Sequence, residues 1–144
     1  MVDDFLLPQH CVSNNLQKTA RAVSRVYAEE MRPAGLTRAQ FPILSTLDAL
    51  GALPMTVLAT RLYMERTTLT RHLRPLEEAG LVVRPATPED ARLRLVEISP
   101  AGRRKLKEAR QLWKKAQSRM IERFGSEAWQ QLEDSLRTLR RLTR

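Results

Sequence analysis

The strongest constraint in this sequence is a change of period. Between residues 56 and 79 the apolar side chains recur at three and four: Val57, Leu58 and Leu62, then Leu69, Leu73 and Leu76. That spacing predicts a short helix over 56–62 and a second from about 66 to 79. Only Tyr63 to Arg66 separate them, and Gly80 suits the C′ position of the second. Beyond Gly80 the pattern turns short, β-branched and partly alternating: Leu81-Val82-Val83-Arg84, then Leu93-Arg94-Leu95-Val96-Glu97-Ile98. It predicts two strands around the loop-like stretch 85–92. Two helices joined by so short a turn form a helix-turn-helix candidate. A hairpin directly after them gives the winged-helix order.

Long amphipathic segments flank this core. Residues 9–32 carry Val12, Leu16, Ala20, Val23, Tyr27 and Met31 in one stripe, and Pro33 and Gly35 stop it. A helix is expected to open at Thr37, where Thr37 and Gln40 form a capping box and Leu36 can staple to Phe41. Phe41, Leu44 and Leu47 face inward, and Gly51 and Pro54 punctuate the end. Pro42 lies just past the first turn, where it may forfeit a hydrogen bond. Ser99 is placed to cap a long helix with Pro100 at its first position. Its stripe is Leu106, Ala109, Trp113, Ala116 and Met120, ended by Phe124 and Gly125. Ser126 is expected to cap a last helix carrying Trp129, Leu132, Leu136 and Leu139. The fold class is mainly α (α+β), and residues 1–144 make one domain. A winged helix-turn-helix core spans 37–99, its wing about 81–98, and the helices of 9–34 and 100–144 flank it. Those flanking helices carry more apolar stripe than one small winged helix can bury, which predicts a homodimer.

Composition enters where function does. A net charge of +9 and a pI near 10.8 point to an acidic partner, nucleic acid first and a membrane surface as the rival. No run approaches the ~18 apolar residues of a bilayer span. The acidic start, MVDDFLLPQH, has too short an apolar stretch for a signal peptide. A single cysteine fits a reducing cytosol, so a cytoplasmic protein is expected. The excess charge is uneven: 13 basic and 5 acidic residues fall in 98–144, against 5 and 5 in 1–54 and 7 and 6 in 55–97. Local placement must therefore identify the binding surface.

That placement is best in RTTLTRHLR, residues 66–74. With Leu69, Leu73 and Leu76 inward, the other side of the helix carries Arg66, Thr67, Thr70, Arg71 and Arg74, with Thr68 and His72 at the flanks. Threonine is a mediocre helix former. Its short side chain lets a helix seat deeply in a major groove, where arginine reads guanine and the threonine methyl can meet thymine. A solvated helix with scattered charge is the plain alternative, and the neighbouring turn and hairpin argue against it.

The run RLYMERTTLTRHLRPLEEAGLVVR followed by TPEDARLRLVEISPAGRRKL resembles the MarR family of bacterial transcription regulators. The likeness is carried by Leu76-Glu77-Glu78-Ala79-Gly80-Leu81 ending the recognition helix, by Asp90-Ala91-Arg92 in the wing and by Ile98-Ser99-Pro100-Ala101-Gly102. Gly35-Leu36-Thr37-Arg38-Ala39-Gln40-Phe41 upstream is also similar. Two features depart from the pattern: Glu65 stands at the N-cap, and Pro75 sits inside the recognition helix, where a bend is expected. The resemblance implies a symmetric homodimer on a palindromic double-stranded operator, with half-sites about 10 bp apart. It also implies that Arg92 enters the minor groove, where narrowness concentrates negative potential. Arg94, two residues on, is the alternative and is expected on the same strand face. Asp90 is assigned to holding the hairpin through a nearby arginine. Some members sense oxidants through one N-terminal cysteine, which makes Cys11, beside His10, a candidate redox sensor; an inert small side chain is the alternative. Others bind small aromatic anions between the dimer helices and the winged helix, and Arg21, Arg25, Tyr27 and Trp113 are of suitable types.

Nothing in the sequence calls for a metal or cofactor. There is no phosphate loop, dinucleotide turn or metal-ligand spacing, so an enzyme is not expected. The expected function is a sequence-specific regulator, a repressor by promoter occupancy, released by a small molecule or an oxidant. The rival is a nonspecific architectural DNA-binding protein.

Overall fold

The computed structural model describes residues 3–85 and 94–143. Two 3-10 turns, Asp3–Leu6 and Pro8–His10, lead into α1 (Val12–Met31). A third, Arg32–Ala34, closes it, and Gly35 reverses the chain at φ 69°. Then come α2 (Gln40–Leu50), β1 (Leu53–Pro54), α3 (Met55–Leu62), α4 (Arg66–Glu78), β2 (Val82–Val83) and β3 (Leu95–Ile98). Two long helices, α5 (Pro100–Phe124) and α6 (Ser126–Leu142), complete the described chain.

The capping box forms as expected: Thr37 N–H donates to Gln40 Oε1 at 3.0 Å, and Gln40 N–H donates to Thr37 Oγ1 at 3.3 Å. Regular helix begins three residues later than the cap, at Gln40. Pro42 explains the delay, since it has no N–H to close a bond onto residue 38. α4 runs through Pro75 to Glu78. Ser126 does not cap α6. Gly125, at φ 96°, takes that place and Ser126 is the first helical residue. The reversal from α5 into α6 needs a left-handed residue, so the boundary falls on the glycine.

The sheet has three antiparallel strands in the order β1-β3-β2. Val82 pairs with Ile98 and Val83 with Glu97, as the hairpin reading requires. β1 is a correction, because Gly51 and Pro54 had predicted only a helix end; Leu53 pairs with Val96 and Pro54 with Leu95. Two residues are too few to display alternation, and proline is tolerated on an edge strand.

The core lies where α2, α3, α4, β3 and α5 meet. Ile43, Leu44, Leu47, Leu58, Leu69, Leu73, Leu76, Val96, Ile98 and Leu106 are all buried in it. Ser99 joins wing to α5: its Oγ accepts from Gly102 N–H at 3.0 Å and donates to Gly80 O at 2.6 Å, while its N–H donates to Leu81 O at 3.0 Å. Asp48 on α2 takes Arg110 at 2.8 Å and Arg103 at 3.4 Å from α5. Glu30 on α1 takes Lys115, at 3.8 Å, and Arg119 from the same helix. These ties clamp α5 to both α1 and α2. The outer helices are less well covered. Val12 and Phe124 are more than half exposed, and α6 contains no buried residue.

Candidate nucleic-acid interface

α4 is divided lengthwise. Leu69, Leu73 and Leu76 are at most 1% exposed, so this face is locked into the core. Full burial of each such side chain favours folding by roughly 1.5–3 kcal/mol, which holds the rotation of the helix. The opposite face exposes Arg66, Thr67, Thr70, Arg71 and Arg74, with Thr68 and His72 half-buried at its edges. This is the arrangement that the leucine spacing predicts.

The side chains on this face are not equivalent. Among the described residues Arg66 and Arg71 carry no ion pair, so their guanidinium groups point to solvent unopposed. Arg74 Nε lies 3.0 Å from Glu78 Oε1, an exposed pair that a polyanion can displace at little cost. Thr70 Oγ1 donates to Arg66 O at 2.9 Å. Its hydroxyl hydrogen is thus committed to its own helix, leaving a methyl group and an acceptor oxygen for a partner.

The turn into α4 contains a feature the sequence reading passed over. Tyr63 adopts φ 52°, a left-handed conformation rare for a bulky residue. Its N–H donates to Thr60 O at 3.3 Å, and Met64 N–H donates to Ala59 O at 3.0 Å. The reversal is therefore complete within Tyr63–Glu65, and Glu65, extended, makes no side-chain cap. Arg61 was also passed over; with Thr56, Val57 and Thr60 it lines a shallow recess on α3.

Asp90 and Arg92 lie outside the described residues. Arg94 is described and exposed. It stands at φ 48° in the turn before β3, and its carbonyl accepts from Met55 N–H at 3.3 Å. The strand alternation that would place it on one face with position 92 begins only at Leu95. At the other side of the wing, Arg84 Nε lies 2.6 Å from Glu77 Oε1, fastening the end of β2 to α4.

A second site opens on the far side of α2. A slot of about 190 Å³ is lined by Val23, Ser24, Tyr27 and Met31 of α1, by Arg38, Phe41 and Pro42 at the start of α2, and by Trp113 of α5. Phe41 and Trp113 stack with centroids 5.9 Å apart and planes 18° from parallel. Tyr27 Oη donates to Gln117 Oε1, and burial pushes its hydroxyl pKa up. An adjoining groove of about 330 Å³ is lined by Arg21, Ser24, Arg25, Ala28 and Arg38. Ser24 and Arg38 belong to both. All four residues singled out as ligand-binding types, Arg21, Arg25, Tyr27 and Trp113, thus converge on this region. Arg38 and Phe41 were not foreseen there. Cys11 is exposed and immediately precedes α1, and the neighbouring His10 packs edge-on against Phe5. Among the described residues no three His, Cys, Asp or Glu side chains are grouped to hold a metal, and no helix is long and apolar enough to cross a membrane.

Comparison with known proteins adds three likenesses. The model of the MarR family matches residues 36–93. The M. tuberculosis transcriptional regulator MosR, in complex with DNA, is 30% identical, with a TM-score of 0.80 over 92% of this chain and 96% of that one. The transcriptional repressor CouR, bound to p-coumaroyl-CoA, is 28% identical, with a TM-score of 0.82 over 92% and 94%. An uncharacterized HTH-type transcriptional regulator of Bacillus subtilis (strain 168), YdgJ, is 26% identical over 106 residues. That match covers 74% of this chain and 65% of YdgJ, just under two thirds of the relative's length.

Proposed function

This chain belongs to the MarR family of transcriptional regulators, and on that premise we propose that it is a sequence-specific DNA-binding repressor that occupies a palindromic operator as a homodimer. The observation that carries the reading is the division of α4, one face buried in the core and the other presenting unpaired arginines between threonines. Arg66, Thr67, Thr68, Thr70, Arg71 and Arg74 serve the major groove. Arg71, in the middle of the exposed face, reads a base with its fork, and Thr70 offers its methyl group. Arg74 exchanges Glu78 for a phosphate. Arg92 and Arg94 serve the minor groove, and Asp90 holds the hairpin that carries them. The likeness to MosR in complex with DNA supports this reading.

The 144 residues act as one domain, with 37–99 as the reading head and the helices of 9–34 and 100–144 as the dimer region. The uncovered apolar side chains of α1 and α6 support a second copy as their cover. Two copies then set their α4 helices in successive major grooves, about 10 bp apart. Repression follows from occupancy of a promoter.

Release follows from a small aromatic or anionic ligand in the slot between α1, α2 and α5. A planar group there lies against Phe41 and Trp113, with Arg38 for an anionic substituent. CouR bound to p-coumaroyl-CoA supports a ligand of this kind. α2 packs directly on α4, so a shift of α2 on filling the slot reaches the reading head. Cys11, exposed before α1, is the second candidate trigger, through oxidation.

The deciding experiment is selection of genomic fragments by the purified chain at ~0.15 M salt, near physiological ionic strength. Enrichment of an inverted repeat with half-sites about 10 bp apart is expected. Equal retention of all fragments would sink the proposal and leave a DNA-coating protein in its place.

A further inference from the structure

We propose that the ligand of this chain is two-part: a planar apolar end in the aromatic slot and a multiply charged, phosphate-bearing head on Arg21, Arg25 and Arg38. The proposal rests on the reading of the slot as the effector site, and goes beyond it to the ligand's class.

Size is the first argument. At about 190 Å³ the slot falls below the ~300–1,000 Å³ usual for small-molecule sites. The groove beside it, about 330 Å³, shares two lining residues with it and brings the site into that range. A ligand that filled only the slot would leave the larger space unused.

Charge is the second. A bare carboxylate is one negative charge, and one arginine satisfies it with two parallel hydrogen bonds. Here there are three arginines. Arg21 and Arg25 stand one turn apart on α1, so their side chains share a face, and Arg38 faces them across the groove. Among the described residues none of the three carries an ion pair. Neighbouring cations differ: Lys115 and Arg119 are held by Glu30, and Arg103 and Arg110 by Asp48. Acidic partners therefore exist nearby, but they neutralise other residues. Three unopposed guanidinium groups around one groove match an anion of two or more charges, and their forks suit phosphate oxygens.

Position is the third. Arg38 and Ser24 line both compartments, so they lie where head and end would join. None of the three arginines belongs to α4 or the wing. The ligand class is thus an aryl or acyl group on a phosphate-bearing carrier, as in an aromatic thioester of coenzyme A, and not a free aromatic acid.

The test uses benzoyl-CoA, coenzyme A and benzoate, titrated calorimetrically into the full chain and into Arg21→Ala/Arg25→Ala. Benzoyl-CoA is expected to bind the unaltered chain at least ~tenfold more tightly than benzoate, and the double substitution to remove that advantage while leaving benzoate unchanged. Benzoate binding as tightly as benzoyl-CoA, or a double variant that keeps the advantage, would overturn the two-part ligand and leave the slot reading standing. No binding of coenzyme A or its ester would overturn it too. Trp113→Phe separates the layers, because it should weaken benzoate and benzoyl-CoA alike; an unchanged benzoate affinity would count against the slot itself. If the double variant instead lost affinity for DNA without any ligand, the arginines would serve the operator and the proposal would fail.

Discussion

Gly102→Ala tests how the wing is held, because its sign separates two accounts of the same glycine. Gly102 lies in the first turn of α5. If it were an ordinary helical glycine, alanine would stabilise the chain by up to ~1 kcal/mol through helix propensity. The geometry forbids that gain. A β-carbon at position 102 would sit 2.1 Å from Leu81 O and 2.7 Å from Ile98 Cγ1. The first of these is backbone, so no rotamer relieves it. Overpacking of this kind costs roughly 1–3 kcal/mol. Displacing Leu81 also weakens the bond it accepts from Ser99 N–H, 3.0 Å long, a further ~0.5–1.5 kcal/mol. Set against the propensity gain, the net loss is about 1–3 kcal/mol. Urea unfolding followed by far-UV circular dichroism, at fixed protein concentration because a dimer unfolds by mass action, measures it as a lower midpoint. Operator affinity should fall with it, since β2 and β3 both hang on this contact. A raised midpoint would refute the close approach and the account of the wing base built on it.

Arg71→Ala should lose roughly 1–3 kcal/mol of operator affinity and relax preference at one base pair; gel-shift titration on single-position operator variants checks it, and unchanged preference removes Arg71 from the reading set. Ser99→Ala deletes the cap of α5 and the bond to Gly80 O, so stability should drop by roughly 0.5–2 kcal/mol, read by thermal melting. Tyr27 holds its proton more tightly folded than unfolded because it is buried. Its contribution is therefore complete below the unfolded pKa, ~10, and declines as pH rises through the folded value. Tyr27→Phe should flatten that alkaline decline in a denaturation series, and an unaltered slope would argue against it. Cys11→Ser should abolish peroxide-driven release from DNA if the thiol is the trigger; release that persists rules it out.

What the sequence revealed, and what it hid, follows from the distance over which each feature is written. The leucines of α4 repeat within thirteen residues, so their burial and the face opposite them were legible from spacing alone. The capping box and the Ser99 cap are equally local. β1 escaped notice because a two-residue strand has no period. Ser126 was misjudged because a serine before a helix signals a cap unless the chain must also reverse, and here Gly125 does both. The slot brings together α1, the start of α2 and the middle of α5, so no window contains it. Arg38 looked like a solvated residue beside a cap, and Phe41 like a core residue, until Trp113 was laid against the one and Arg21 and Arg25 opposite the other.

Net charge, the coarsest reading, turns out to point away from the surface that matters. The surplus is concentrated in 98–144, yet much of it does mechanical work. Arg103 and Arg110 fasten α5 to α2, Lys115 and Arg119 fasten it to α1, and Arg137 pairs along α6. An exposed pair contributes little to stability one by one, but cations so engaged have an anion beside them and attract a distant polyanion less. The segment around α4 is nearly neutral by count, seven basic residues against six acidic. Glu65, Glu77 and Glu78 lie at its two ends and leave Arg66 and Arg71 unopposed between them. What distinguishes a recognition surface here is the absence of a partner for particular guanidinium groups. By that criterion the described chain has two such places, the outer face of α4 and the groove of Arg21, Arg25 and Arg38. One suits the regular phosphates of a duplex, and the other a compact anion held against an aromatic wall.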